Sequence, residues 1–233
     1  MITKLHIVFD ILNTARGGKQ SDDENISSRQ VGFNIDNTRA LLIKRDLDKG
    51  SNINPDIVQT LGCVPVKLVD SSECDCLEVG CKILRTVDKI PKAIDLANKN
   101  LITRVGPIQV GSTPFSFISY ERAGWESSSR YQRRPKAFLH NGYIYILSED
   151  DDTNLMKYIT ISGVFEFPEE VANFTDCPGG KPCYTDATTY PISSWMIEPL
   201  KDMIYKNTIR IAVQSPTDSL GNANHDVEPN VTQ

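Results

Sequence analysis

The six cysteines have the most versatile chemistry in this chain, because thiolates can bind metals, act as nucleophiles or pair as disulfides. Cys63, Cys74, Cys76 and Cys81 fall in one short region. Zinc sites commonly use two knuckles whose paired ligands lie roughly two to four residues apart. The C-x-C pair and the four-residue gap before Cys81 fit no common knuckle. The cluster is therefore a possible metal site that lacks a recognisable spacing.

The other two cysteines, Cys177 and Cys183, flank the turn Pro-Gly-Gly-Lys-Pro, which could hold two thiols close together. The first residues are amphipathic and include Asp10, whereas a secretory signal needs an uninterrupted apolar stretch. Without such a signal, reduced thiols are the default. We expect small, half-buried thiols, and a metal site and a disulfide stay open as alternatives.

No familiar catalytic motif is present. The sequence contains no G-x-G-x-x-G, P-loop, H-E-x-x-H, G-x-S-x-G or kinase signature. The three histidines are scattered: His6 lies on the first expected helix, His140 beside a turn, and His225 in the polar C-terminal region. We expect no enzyme activity, no cofactor and no bound metal.

Two short segments of opposite charge are candidates for a subunit interface. An acidic run spans residues 149–152, and a basic, aromatic segment precedes it. Arginine, tyrosine and tryptophan are favoured at protein interfaces; phosphate contacts, cation binding and solvated loops are the alternatives. Opposite charges on two loops suit head-to-tail assembly in a ring. The candidate interface residues are Trp125, Arg130, Tyr131, Arg133, Arg134, Asp150, Asp151 and Asp152.

The composition is that of a folded, acidic protein. The chain has 233 residues, of which 39% are hydrophobic and 24% charged, and its formal net charge is −5. A chain of this length can bury a core without disulfides or metals. Its acidity argues against a generally basic nucleic-acid binder. No apolar run approaches the roughly 18 residues of a membrane span, so we expect no membrane contact.

Hydrophobic spacing predicts helices near both ends of the chain. An N-terminal helix pair is expected, with Gly17-Gly18 ending the first helix and Ser27 capping the second. A short helix should begin at Asn54 and extend to Leu61. The expected apolar faces are Leu5, Val8, Ile11 and Leu12, then Val31, Ile35, Thr38 and Leu42, and near the C-terminus Ile197, Leu200, Ile204, Thr208 and Ile211.

Strands are expected between the helices. The dipeptide Asn141-Gly142 between aromatic and β-branched runs predicts a β-hairpin with a two-residue turn. Further strands are expected at 64–69, 82–86, 103–110, 115–120 and 157–164. The pattern predicts an α+β fold, a helical body (N-terminal helix pair and C-terminal helix) with an inserted antiparallel β-sheet or small sandwich. The expected regions are 1–100, mostly helical; 101–166, β-rich; 167–213, helical; and 214–233, a flexible polar tail.

Several stretches, taken in order, resemble a known family. They are the opening helix with Gly17-Gly18, and residues 21–29, 39–44, 59–66, 80–86, 89–92, 135–138, 141–142, 163–166, 168–170 and 190–192. In this order they are similar to virion structural proteins of crAss-like bacteriophages. More specifically, they resemble the neck or tail ring proteins that act as head-to-tail adaptors. The resemblance spans nearly the whole chain and rests on diffuse patterning, since no catalytic motif takes part in it.

The resemblance implies a structural role without an active site. About twelve copies would form a homo-oligomeric ring. The ring would bind the portal protein on one side and other tail ring or tail-tube proteins on the other. Genomic DNA would pass through the channel without specific binding. The protein would be assembled in the host bacterial cytoplasm and reside in the neck or tail of the virion.

A second function stays open at this point. The cysteine cluster and the segment Arg130 to Lys136 together would suit a metal-dependent nucleic-acid-binding module. A third possibility is an enzyme with a thiol active site, which would require one unusually reactive cysteine.

Overall fold

The computed structural model describes residues 2–15, 27–70, 83–96, 99–109, 111–126, 134–148, 155–177 and 179–209. Within these ranges the α-helices are α1 (Lys4–Ala15), α2 (Ser28–Asp48), α3 (Tyr120–Glu126) and α4 (Ile197–Ile204). Short 3-10 helices span Pro55–Ile57, Pro168–Asn173 and Ser194–Met196, and a π-helical turn, Tyr205–Ile209, continues α4. The strands are β1 (Gln59–Val69), β2 (Ile83–Thr86), β3 (Asp95–Leu96), β4 (Lys99–Asn100), β5 (Ile102–Pro107), β6 (Ser116–Phe117), β7 (Lys136–His140), β8 (Tyr143–Leu147) and β9 (Tyr158–Gly163).

Seven of these strands form one sheet in the order β5-β9-β1-β2-β8-β7-β6. Its ends approach each other, since the Phe115 amide, just before β6, donates to the Val105 carbonyl of β5 at 2.8 Å. The sheet is therefore nearly a barrel. The α+β expectation is consistent with this arrangement, but two details differ. The sheet is mixed, because β6 and β7 run parallel, and it includes β1 and β2, which precede the expected 101–166 insertion.

The β7–β8 hairpin confirms the prediction made from its turn sequence. Asn141 and Gly142 both adopt positive φ, 49° and 84°. Positive φ at both central residues is what a type I′ turn requires, and asparagine and glycine tolerate it best. The register pairs Lys136 with Leu147 at the open end and His140 with Tyr143 beside the turn.

A helical body packs at one end of the barrel. Its core is built from α1, α2 and α4 together with Val164, at the end of β9, and Leu101, just before β5. Ser27 caps α2 as predicted, since its Oγ accepts a hydrogen bond from the Gln30 amide at 3.1 Å. Asn54 acts as an N-cap as predicted, since its Oδ1 accepts a hydrogen bond from the Asp56 amide. The helix that follows is a 3-10 turn, Pro55–Ile57, rather than the longer helix expected.

Three helix-face predictions need correction. Leu5 is exposed, and Ile7 is buried in its place. On α2 the buried stripe passes through Arg39, whereas Thr38 and Leu42 are only half-buried. Leu61 lies in strand β1, because the chain turns extended at Gln59 to pair with β9. In each case long-range packing, which local spacing cannot reveal, decides the outcome.

Arg39 joins the helical body to the barrel. Its side chain is fully buried. Its Nε donates to the Pro191 carbonyl at 2.5 Å, and its Nη1 donates to the Phe165 carbonyl at 2.8 Å. Phe165 follows β9, and Pro191 belongs to the segment that leads to α4. One guanidinium therefore ties α2 to the end of the sheet and to the C-terminal part of the body.

We predict that Arg39→Ala destabilises the fold by about 3–5 kcal/mol, because it leaves two buried carbonyls without donors and opens a cavity. Urea unfolding followed by circular dichroism measures this loss. Arg45→Ala is the matched control: Arg45 is an exposed arginine on the same helix, so its removal should cost less than about 1 kcal/mol. Equal losses in both variants would contradict the role assigned to Arg39.

Candidate assembly surfaces

A buried ionic network links α1, α2 and the segment before α4. Lys4 Nζ lies 2.7 Å from Asp36 Oδ2, and it also contacts Glu169. Tyr190 Oη donates to the other oxygen of Asp36, Oδ1, at 2.7 Å. Gly32, one turn before Asp36, lies against the Lys4 side chain, since a Cβ there would be in ordinary contact with Lys4 Cε at 3.4 Å. Asp36 therefore has a partner on each side.

The network keeps its groups in fixed protonation states. Burial alone would lower the pKa of Lys4, but hydrogen bonds to Asp36 and Glu169 outweigh it and raise that pKa. Burial raises the pKa of Tyr190 well above its ordinary value, and the neighbouring Asp36 raises it further. Lys4 therefore stays a cation and Tyr190 a neutral hydrogen-bond donor. Neither has the lowered pKa of an activated nucleophile or base.

A cleft of about 610 Å³ opens above this network. We call it the acid-rimmed cleft and define it by five exposed residues: Leu5, Phe33, Glu169, Glu170 and Asp186. Phe33 stacks on Phe167 with ring centroids 6.1 Å apart and an interplanar angle of 15°, yet it remains 56% exposed. Exposed apolar surface rimmed by polar residues marks an interaction site or a ligand-binding groove.

The cysteines differ from the expectation. Cys63 in β1 and Cys177 form a disulfide, with Cα atoms 5.4 Å apart, so the prediction of reduced thiols is wrong for this pair. The Cys177 loop lies close to β1: a Cβ on Gly62 would come within 3.0 Å of the Asp176 Cα. A sequence separation of 114 residues hides this pairing from any spacing rule.

Cys183 is the other cysteine in the described part of the chain, and its surroundings do not favour a reactive thiol. Cys183 is free, and burial raises the pKa of its thiol, which disfavours the nucleophilic thiolate. Cys74, Cys76 and Cys81 lie outside the described residues. Cys63 is bonded to Cys177 and so is not available to a metal cluster. Among the described residues, no group of three or more histidine, cysteine or acidic side chains is placed to hold a metal ion.

The histidines take structural positions. His6 Nδ1 lies 3.0 Å from the Thr3 hydroxyl at the start of α1. The His140 ring stacks on Tyr120 of α3 with centroids 4.2 Å apart. His225 lies outside the described residues.

Most of the predicted interface residues fall outside the part of the chain that the structure describes. These are Arg130, Tyr131, Arg133, Asp150, Asp151 and Asp152. Arg134 is described and exposed, and the backbone of Trp125 belongs to α3. The basic segment leads into β7 and the acidic run follows β8. Because Lys136 pairs with Leu147, both segments begin at the same end of one hairpin.

Sequence reasoning missed the network and the helix α3. The sequence did carry a signal for the network: Gly32, Asp36 and Arg39 are spaced to share a helix face with the apolar Val31, Ile35 and Ile43. Charged residues within an apolar stripe indicate buried, paired charges.

The sequence of this chain matches the model of a known protein family. A sequence model of the family described as phage tail ring protein 2 matches residues 6–227. The match includes the helical body and every strand of the barrel. No curated protein matches the chain. Among the described residues, no helix has the length and apolarity to cross a membrane.

We predict that stability falls as the pH rises above about 10. The raised pKa values of Tyr190 and Lys4 mean that the native state holds protons that the unfolded chain releases there. Tyr190→Phe should cost about 1.5–3 kcal/mol at neutral pH, since Asp36 loses a donor. Above about pH 10, the free energy of unfolding should also fall less steeply with pH in this variant. The difference is at most about 1.4 kcal/mol per pH unit, because unfolding releases up to one proton fewer.

Urea unfolding at a series of pH values measures both effects. Tyr158→Phe, which removes an exposed hydroxyl, is the control and should leave stability and slope near those of the wild type. If Tyr190→Phe kept the wild-type slope, its hydroxyl would not be the buried, protonated donor described here.

Proposed function

The chain belongs to the phage tail ring protein 2 family, and on that premise we propose that it forms a closed homo-oligomeric ring in the neck or tail of a bacteriophage. The family match confirms the resemblance to crAss-like phage ring proteins. Membership implies a structural role in the virion rather than catalysis.

The observation that carries this proposal is the extent of the family match, residues 6–227. It spans the helical body and the barrel together, so the family's role concerns the whole fold. Large exposed apolar side chains support self-association, because such groups gain stability when a partner covers them. Among the described residues they include Phe9, Phe33 and Leu155.

The finer assembly is part of the same proposal. The ring has about twelve copies, the number that the resemblance to crAss-like phage ring proteins implies. It binds the portal protein on one side and other tail ring or tail-tube proteins on the other. Genomic DNA passes through it without specific binding, for which the net charge of −5 is suitable because like charges repel. Assembly takes place in the host bacterial cytoplasm.

The charged segments belong to the subunit interface in this proposal. In one copy they begin side by side, at paired positions of β7 and β8. In this proposal the basic segment of one copy contacts the acidic segment of a neighbour, because opposite charges on two segments suit a contact between unlike surfaces. The residues concerned are Trp125, Arg130, Tyr131, Arg133, Arg134, Asp150, Asp151 and Asp152.

The ring itself is tested in purified phage particles. We predict that mass spectrometry detects the chain there, and that gold-labelled antibodies against it bind at the neck or tail in electron micrographs. Antibodies against a major capsid protein provide the positional control. Absence of the chain from particles, or turnover of a substrate by the purified monomer, would contradict the proposal.

The charged segments make a separate prediction. Arg133→Glu with Arg134→Glu should weaken self-association at least about tenfold, because two attractive charge pairs become repulsive. Adding Asp151→Lys and Asp152→Lys to the same chain should restore it. Analytical ultracentrifugation measures the association.

The control for this charge reversal is Lys44→Glu with Arg45→Glu, two adjacent, exposed basic residues of α2. This variant should assemble like the wild type. Normal assembly of the Arg133/Arg134 variant would show that these segments are not part of the subunit interface.

A further inference from the structure

A row of partly exposed tyrosine, proline and valine side chains crosses the outer face of the barrel. Tyr158 of β9 pairs with Pro65 of β1, and the Val87 amide donates to the Pro65 carbonyl at 2.9 Å. Directly opposite residues in antiparallel strands point to the same side of the sheet. Tyr158 is 48% exposed and Val87 40% exposed. These three residues therefore form one continuous surface over three strands.

The row continues across β8. Arg85 pairs with Tyr145, and continuing that register by two residues places Val87 opposite Tyr143. The Arg85 guanidinium carbon lies 4.4 Å from the centroid of the Tyr143 ring, and Lys89 Nζ lies 5.7 Å from it. Cations held over an aromatic ring are a favourable arrangement that keeps positive charge at an apolar surface.

We call this surface the basic aromatic face and define it by Pro65, Val87, Lys89, Tyr143 and Tyr158. Lys157 is an exposed neighbour in sequence of Tyr158. The exposed Asp88 is the one acid adjacent to the face within the described part of β2 and the turn after it. The face thus combines tyrosines and apolar groups with two exposed lysines, Lys89 and Lys157, against the one exposed acid Asp88. Tyrosine is among the residues enriched at interface hot spots.

The acid-rimmed cleft has the complementary character. Leu5 and Phe33 supply exposed apolar surface, and Glu169, Glu170 and Asp186 supply the charge. Arg29 is the exposed cation in its lining, while Lys4 is already paired with Asp36 and Glu169. An apolar centre with an acidic rim fits an apolar centre with a basic rim.

The two surfaces lie at different ends of the molecule. Gly163, at the end of β9, packs against Leu101 and Ile102 beside the helical body. Tyr158 begins the same strand, five residues earlier, which is roughly 17 Å away along an extended chain. Two unlike, complementary and separated surfaces on one chain are what a head-to-tail ring requires, because each copy must bind one neighbour on each side.

We propose that the basic aromatic face of one copy binds the acid-rimmed cleft of a second copy of this chain. This inference rests on the proposed ring and names the contact that builds it. A second copy is favoured over a different partner because every chain carries both surfaces and they match in charge. The exposed lysines lie at the edge of the contact, where Lys89 is closest to a carboxylate of the neighbouring cleft.

One variant on each surface tests the contact. Val87→Glu adds an acid to the basic aromatic face, and Phe33→Glu adds one to the cleft; both side chains are exposed, so the fold tolerates the change. Each variant should lose at least about tenfold in self-association. In a mixture of the two variants, the intact face of Phe33→Glu can still bind the intact cleft of Val87→Glu. The mixture should therefore give dimers with one copy of each variant and no larger assembly.

Trp195→Glu is the matched control, because Trp195 is 58% exposed and lies outside both surfaces. It should assemble like the wild type. A charge exchange adds specificity: Lys89→Glu and Glu170→Lys should each weaken assembly, and the chain carrying both should regain it. Analytical ultracentrifugation of the full chain measures all variants, and circular dichroism verifies their folding.

Normal assembly of Val87→Glu and Phe33→Glu would overturn the inference. The basic aromatic face would then be expected to bind nucleic acid or another tail protein instead. A mixture of folded variants that does not dimerise, or a Trp195→Glu variant that fails equally, would also overturn the inference. The proposed function fails differently, by absence of the chain from particles. A wild-type chain found in particles whose surface variants still form rings refutes this contact alone.

Discussion

The guanidinium of Arg39 is the interaction on which the rest of the structure depends. A buried, unpaired charge would cost several kcal/mol, and here two backbone carbonyls, of Phe165 and Pro191, accept its hydrogen bonds. The Tyr190 ring lies beside it, with its centroid 5.7 Å from the guanidinium carbon. Because those carbonyls follow β9 and precede α4, this one side chain holds helix, barrel and C-terminal segment in a fixed relation.

That fixed relation matters for assembly. Contacts between unlike surfaces close into a ring only if the rotation from one copy to the next completes a circle, and otherwise they give an open filament. The rotation is set by the angle between the two surfaces on each copy. In this chain one surface lies on the helical body and the other on the barrel, so the Arg39 clamp and the Lys4–Asp36–Tyr190 network keep that angle constant. For the proposed ring, a rigid junction between the helical body and the barrel is therefore the property that matters most.

Features set by local chemistry could be predicted from the sequence. The Asn141-Gly142 turn and the Ser27 and Asn54 caps are examples, because neighbouring residues decide them. Features set by long-range pairing could not. Leu61 was predicted to lie in a helix, but pairing with the distant strand β9 makes it extended. The Cys63–Cys177 disulfide likewise joins residues far apart in the chain. Charge patterning singled out the segments before and after the hairpin, most of which lie outside the described residues, whereas the cleft and the basic aromatic face arise from the packing of several elements.

The most direct test of this account is zero-length cross-linking of assembled protein made from equal amounts of isotopically light and heavy chains. This chemistry joins a lysine to a carboxylate only when the two are in contact, and mass spectrometry separates links between copies from links within one. The account predicts mixed-isotope links from Lys89 to Glu170 or Asp186. Links that join the helical body of one copy to the helical body of another, with none to Lys89, would contradict it.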